Sequence, residues 1–236
     1  LSKLGFDVLA DRKLLPAGIH LNSATADAIL TQPLHQYLIN TLRFCLLELE
    51  QNATEFNIEG LSSNSPFAID PGTQKAFTTA TLSLITDAGS RRSQFIPDYA
   101  FRIHHKEMDK SLLFFLEADT GSEALRSLNW GKPTVDRKIY SYQEYFRSGG
   151  YKSYESLWGG RFKGFRLLFL CADAPRAKSV ASVVRHAQPS DFIWVTTLYE
   201  LENIGVAGKI WRRGGNEDKP RESILGSLVR RLPVSF

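Results

Sequence analysis

The chain has 236 residues, 43% of them hydrophobic, and a modest net charge of +4. That is enough for one large domain, or one domain with appendages, around a substantial core. The two cysteines, Cys45 and Cys171, each fall in an apolar run and read as buried thiols rather than a disulfide or a metal pair. No apolar run nears the ~18 residues of a membrane span and no signal peptide is visible, so the cytoplasm is the expected compartment.

The chain opens on Leu1 rather than Met, as a fragment or a processed product would. Residues 14–33 read as a linker. Residues 34–50 have a helical period, with Leu34, Leu38, Leu42, Cys45 and Leu49 on one face and Glu48 at its border. A short strand is expected over 55–60, then a loop rich in Ser, Asn, Pro and Gly over 61–75. The β-branched, apolar run 77–86 reads as the strand before a central pair. Residues 87–93 read as a turn carrying Arg91 and Arg92.

The central pair spans 95–121. Phe95, Tyr99, Phe101 and Ile103 recur in rough alternation, and 112–116 is a continuous apolar run, as in a strand buried on both faces. The polar stretch 104–110 suits the turn between them, which makes His104 and His105 surface residues. Asp98 follows Pro97 early in the first strand. Glu117 and Asp119, two residues apart at the end of the second, share a face. Antiparallel pairing then gathers three carboxylates beside a sheet, a donor set suited to Mg²⁺. The plainer alternative is a turn cap and two solvated strand-end carboxylates.

Beyond this pair, 122–129 reads as a short helix. A longer helix is expected over 134–146, with Val135, Ile139, Tyr142 and Phe146 on one face. A glycine-bearing aromatic loop follows over 149–164. The strand 165–172, helix 175–186 and strand 192–197 imply a right-handed crossover between parallel strands, and one more strand is expected near 209–211. The class is α/β, with a mixed sheet flanked by helices. Residues 137–166 hold seven basic and two acidic residues, a local charge of +5 that leaves the remainder at −1. Basic residues interleaved with rings suit nucleic acid. Arg147, Lys152, Tyr154, Arg161, Lys163 and Arg166 are the candidate contacts; the alternative is an aromatic core element with solvated charges. Lys138 and Tyr142, one helical turn apart, are neighbours.

Pro97-Asp98, a hairpin and Glu117-Ala118-Asp119 resemble the PD-(D/E)xK nuclease signature. More specifically, IPDYAFRI at 96–103, FFLEADTGSE at 114–123 and KIYSY at 138–142 resemble the replication-relaxation family of bacterial, often plasmid-encoded proteins. The resemblance covers roughly 34–211, with its specific core at 97–121. It implies a restriction-endonuclease-like fold. LSKLGFDVL at 1–9 resembles the end of a winged-helix DNA-binding domain, which precedes the nuclease-like domain in that family. The implied organisation is the end of a winged helix at 1–13, a linker at 14–33, the core domain at 34–212 and a basic tail at 213–236. The implied catalytic set is Asp98, Glu117, Asp119 and Lys138. Mg²⁺ would be held by Asp98, Glu117 and the Ala118 carbonyl, with Glu48 and Tyr142 as accessory residues.

One departure matters. The signature's lysine is replaced by Asp119, which would repel phosphate, and Lys138 is the candidate replacement. Two expectations follow: a DNA-binding protein of plasmid or mobile-element replication or relaxation whose nuclease-like domain is non-catalytic, or an active Mg²⁺-dependent DNA endonuclease. DNA is the implied partner, with replication or mobilisation proteins and a second copy of the chain as further candidates. A remote alternative is an aspartic protease, because Asp119-Thr120-Gly121-Ser122 imitates its DTGS motif and Ile224-Leu225-Gly226 a later element. Those enzymes need two such aspartates, and this chain has one DTG.

Overall fold

Helix α1 (Pro33–Asn52) begins on a proline, whose missing N–H costs nothing in a first turn, and buries Leu38, Ile39, Leu42 and Leu46. The chain then runs through β1 (Phe56–Ser62), β2 (Ala80–Thr86), β3 (Gly89–Phe95), β4 (Tyr99–His105) and β5 (Lys110–Asp119). Helix α2 (Val135–Ser148) and the short α3 (Ser153–Trp158) lead to β6 (Phe165–Cys171). Helix α4 (Ala174–His186), β7 (Ile193–Thr197), α5 (Leu198–Ile204) and β8 (Arg212–Arg213) follow. This computed structural model describes residues 32–62, 80–86, 89–128, 132–226 and 228. The expected winged-helix remnant, the linker before 32 and the end of the basic tail lie outside them.

Six strands form one mixed sheet in the order β1-β4-β5-β6-β7-β8. Strands β1, β4 and β5 pair antiparallel, β5, β6 and β7 pair parallel, and β8 returns antiparallel on β7. Alternation along β5 sends Leu113 and Phe115 to one core, beneath α2 and α4, and Phe114, Leu116 and Ala118 to another, beneath α1. The unbroken apolar run of β5 thus has its cause: both faces are covered. The result is a mixed α/β domain with helices on both sides of the sheet. Among the described residues no helix is long and apolar enough to cross a membrane.

Several local expectations are corrected. Strand β2 does not neighbour the central pair. It pairs with β3, from Ala80↔Phe95 to Thr86↔Gly89, in a separate two-stranded sheet; the residues expected to turn supply its partner. Over 122–128, the described part of the helix expected at 122–129, no helix forms because other segments take its carbonyls. Glu123 O accepts from Arg176, Ala124 O from Val135 N, Leu125 O from Asp136 N and Ser127 O from Arg137. Those acceptors are the ones a helical ladder would need. His104 and His105 belong to β4, and His105 is buried edge-on against Phe56. Helix α5 went unforeseen, although Thr197 and Glu200 form a capping box.

Candidate functional site

Strand β4 starts at Tyr99, opposite Leu116 of β5. The last three residues of β5 therefore run past it, and Asp98 fills the gap. Its N–H bonds Leu116 O at 3.1 Å, and its Oδ2 accepts from Ala118 N at 2.8 Å. The N–H and C=O of one strand residue point to the same side, so the Ala118 carbonyl also faces the Asp98 side of β5. His35, near the start of α1, places Nε2 3.1 Å from Asp98 Oδ2. That hydrogen bond raises the His35 pKa, against the opposing effect of burial.

Glu117 points the other way from Ala118, toward α2, with its side chain only 5% exposed. Lys138 Nζ lies 3.0 Å from Oε2, and Tyr142 OH donates to Oε1 at 2.6 Å. The helical spacing of Lys138 and Tyr142 brings both onto one carboxylate. Burial pushes the Glu117 carboxyl up to about 7; Lys138 opposes this and nearby Asp98 reinforces it. Burial works against the Lys138 charge, but Glu117, Glu123 and Asp98 together hold its pKa above the usual lysine value. Burial, then Glu117, drives the Tyr142 hydroxyl well above its ordinary value.

Asp119 has a different partner. Arg176, in the first turn of α4, grips it with two bonds, Nε to Oδ1 at 2.8 Å and Nη2 to Oδ2 at 3.0 Å. Gly121 N adds a third at 2.8 Å. Arg176 Nη2 also donates to Glu123 O at 2.7 Å, and Glu123 Oε1 lies 2.9 Å from Lys138 Nζ. A continuous run of contacts thus joins Asp119, Arg176, Glu123, Lys138 and Glu117. Sequence reasoning missed His35, Glu123 and Arg176. Arg176 had a signal: parallel pairing sets Asp119 beside Cys171, and α4 opens just beyond.

Glu48 does not join this cluster. It is exposed on α1, thirteen residues beyond His35, or ~20 Å along the axis. Among the described residues no group of three or more His, Cys, Asp or Glu side chains is set to hold a metal ion. Asp98 lies near enough to Glu117 to raise its pKa, and the Ala118 carbonyl lies on the Asp98 side of β5. Ile224 and Leu225 are buried in the α1-side core, on the opposite face from Asp119, so the protease-like elements do not meet.

The basic stretch divides. Arg147, paired with Glu144, and Lys152, Arg161 and Lys163 are exposed. Tyr154 is corrected: it is 1% exposed, packed on Phe115 and Trp158, and cannot stack on a base. Tyr142, Tyr145, Tyr151, Phe162 and Phe165 are buried with it. The interleaved rings are mostly core, and the cations form its rim. Arg166 turns to the opposite face, 4.6 Å over the Trp194 ring.

No curated protein and no solved structure gives a significant match to this chain. A family model does match, over residues 51–158, and its description is replication-relaxation. The matched segment runs from the end of α1 to the end of α3 and contains Asp98, Glu117, Asp119, Lys138 and Tyr142. Over residues 51–158 the chain is therefore similar to the replication-relaxation family.

Proposed function

We propose that this chain acts on DNA in plasmid or mobile-element replication or relaxation, and that Asp98, Glu117 and Lys138 form its site for a phosphodiester. One observation carries the reading: Lys138 Nζ sits 3.0 Å from Glu117 Oε2. The lysine missing from position 119 has a counterpart, delivered to the same carboxylate from the next helix. An ammonium held in a low-dielectric site can stabilise charge that develops on a phosphate. Arg176 meanwhile neutralises Asp119, which removes the repulsion that residue would otherwise exert.

Two carboxylates and a backbone carbonyl are hard oxygen donors and fit Mg²⁺. Asp98, Glu117 and the Ala118 carbonyl would hold it. When bound, such an ion polarises a phosphoryl oxygen and lowers the pKa of its water. The protein's own groups orient the site: Tyr142 fixes Glu117, His35 holds Asp98, and Glu123 steers Lys138. The exposed cations Arg147, Lys152, Arg161 and Lys163 would supply phosphate contacts. Replication or mobilisation proteins are the further partners this reading implies.

A specific observation favours a second, non-catalytic reading. Each carboxylate already has a partner: Asp98 has His35, Glu117 has Lys138 and Tyr142, and Asp119 has Arg176. Such a site is stable as it stands and could serve only to dock DNA. Cleavage of supercoiled, linear and single-stranded DNA, with and without Mg²⁺, separates the two. The first reading expects wild-type cleavage, abolished by Asp98→Ala and lowered ~10²–10³-fold by Lys138→Ala. An inert wild type, with DNA affinity unchanged in Asp98→Ala, would leave the docking reading.

A further inference from the structure

At the opposite end of the parallel strands from Glu117 and Asp119, the beginnings of β5, β6 and β7 frame an open cavity of about 370 Å³. Phe146, in the last turn of α2, reaches it and stacks on Phe192, centroids 5.2 Å apart and planes at 28°. While the neighbouring rings of its stretch are buried, Phe146 is 36% exposed. Gly164 makes its position possible: a Cβ at 164 would lie 2.7 Å from the Phe146 ring.

The lining is basic. Exposed Lys163 and Arg213 and half-buried Arg166 line it together with one carboxylate, Asp191. Asp191 is 76% exposed and stands 3.5 Å from Arg213, a long and solvated pairing. Such a pair contributes little and is readily exchanged for another anion. Arg166, laid over the Trp194 ring, adds positive charge that its packing prevents from swinging out to solvent.

We propose that this cavity seats one nucleotide of a single DNA strand, its base against Phe146 and its phosphates on Lys163 and Arg213. The inference rests on the proposed action on DNA and extends it by a second contact point. A basic groove with an available ring is how single strands are bound without sequence preference. A duplex keeps its bases stacked inside and cannot offer one to a recessed ring. Helix α2 links the two places. It carries Lys138 to the candidate site and Phe146 to the cavity, eight residues or ~12 Å apart. A single strand can span that separation within a few nucleotides. The cavity would hold the strand that flanks the bond presented to Asp98, Glu117 and Lys138.

The test is fluorescence anisotropy of a labelled oligothymidylate in EDTA, which suppresses any cleavage. The wild type should bind it, with dTMP competing only at far higher concentration. Lys163→Glu with Arg213→Glu should weaken binding at least tenfold and flatten the slope of log affinity against log salt by about 1.4. Phe146→Ala should weaken it about 5- to 150-fold. The paired charge reversal lies on exposed side chains, so it remains decisive if Phe146→Ala disturbs packing. Wild-type affinity in both variants, or binding of duplex alone, overturns the proposal. Strand binding by a wild type that never cleaves would keep the cavity and discard the phosphodiester site. Cleavage untouched by the cavity variants would do the reverse.

Discussion

Burial pushes the Glu117 carboxyl up to about 7, while an unfolded chain returns it to its ordinary value near 4.5. Between those values the folded state holds a proton that the unfolded state has released, so stability falls as pH rises through the window. His35, raised by Asp98, acts with the same sign: its contribution is full below 6.5 and is lost as pH climbs through the folded pKa. The melting temperature should therefore decline from pH 4.5 to 8, and Glu117→Gln should flatten the decline. A second residue-scale expectation concerns Asp119. Restoring the signature with Asp119→Lys would set an ammonium against the Arg176 guanidinium, whose side chain is 13% exposed. We expect a stability loss of about 3 kcal/mol in urea unfolding, since a largely buried charge loses its partner, and no gain in cleavage.

At the scale of elements, helix α4 presents Arg176 because Asp173 caps it, accepting from Arg176 N at 2.7 Å. Asp173→Ala should cost ~1 kcal/mol, read as a lower urea midpoint at constant m. The elements show what a sequence can reveal. Strands β5 to β7 were legible as unbroken apolar runs buried on both faces, and β4 with helices α2 and α4 through their periods of two and 3.6. Partners were less so: β2 has strand composition, but nothing local says that 89–95 will close on it. The helix missing over 122–128 was lost to the first turn of α2, ten or eleven residues on, and to Arg176, 53 residues from Glu123. Within the site, Asp98, Glu117 and Lys138 were legible through motif and spacing. His35 was not, because its reason for being there is a carboxylate on another element.

For the molecule as described, the sheet separates two apolar cores, one under α2 and α4 and one under α1. The exposed cations Lys152 and Arg161 lie on the α2 and α3 side. Reversing both should weaken duplex DNA binding and reduce its salt slope by about 0.9 per lost phosphate contact. A slope unchanged in low-salt and high-salt titrations would remove this rim from the DNA surface.

Because β4 begins only at Tyr99, the amide of Ala118 has no strand to bond and relies on the Asp98 carboxylate. The chemical shift of that proton tracks the charge and position of the Asp98 oxygens. One nitrogen-15-labelled alanine thus becomes a spectroscopic gauge at the candidate site, independent of turnover. Titrating Mg²⁺ or oligonucleotide should move the Ala118 resonance if either reaches Asp98, and Asp98→Ala should leave it at the value of a solvent-bonded amide. A resonance indifferent to both ligands would show that Asp98 serves only to finish the strand.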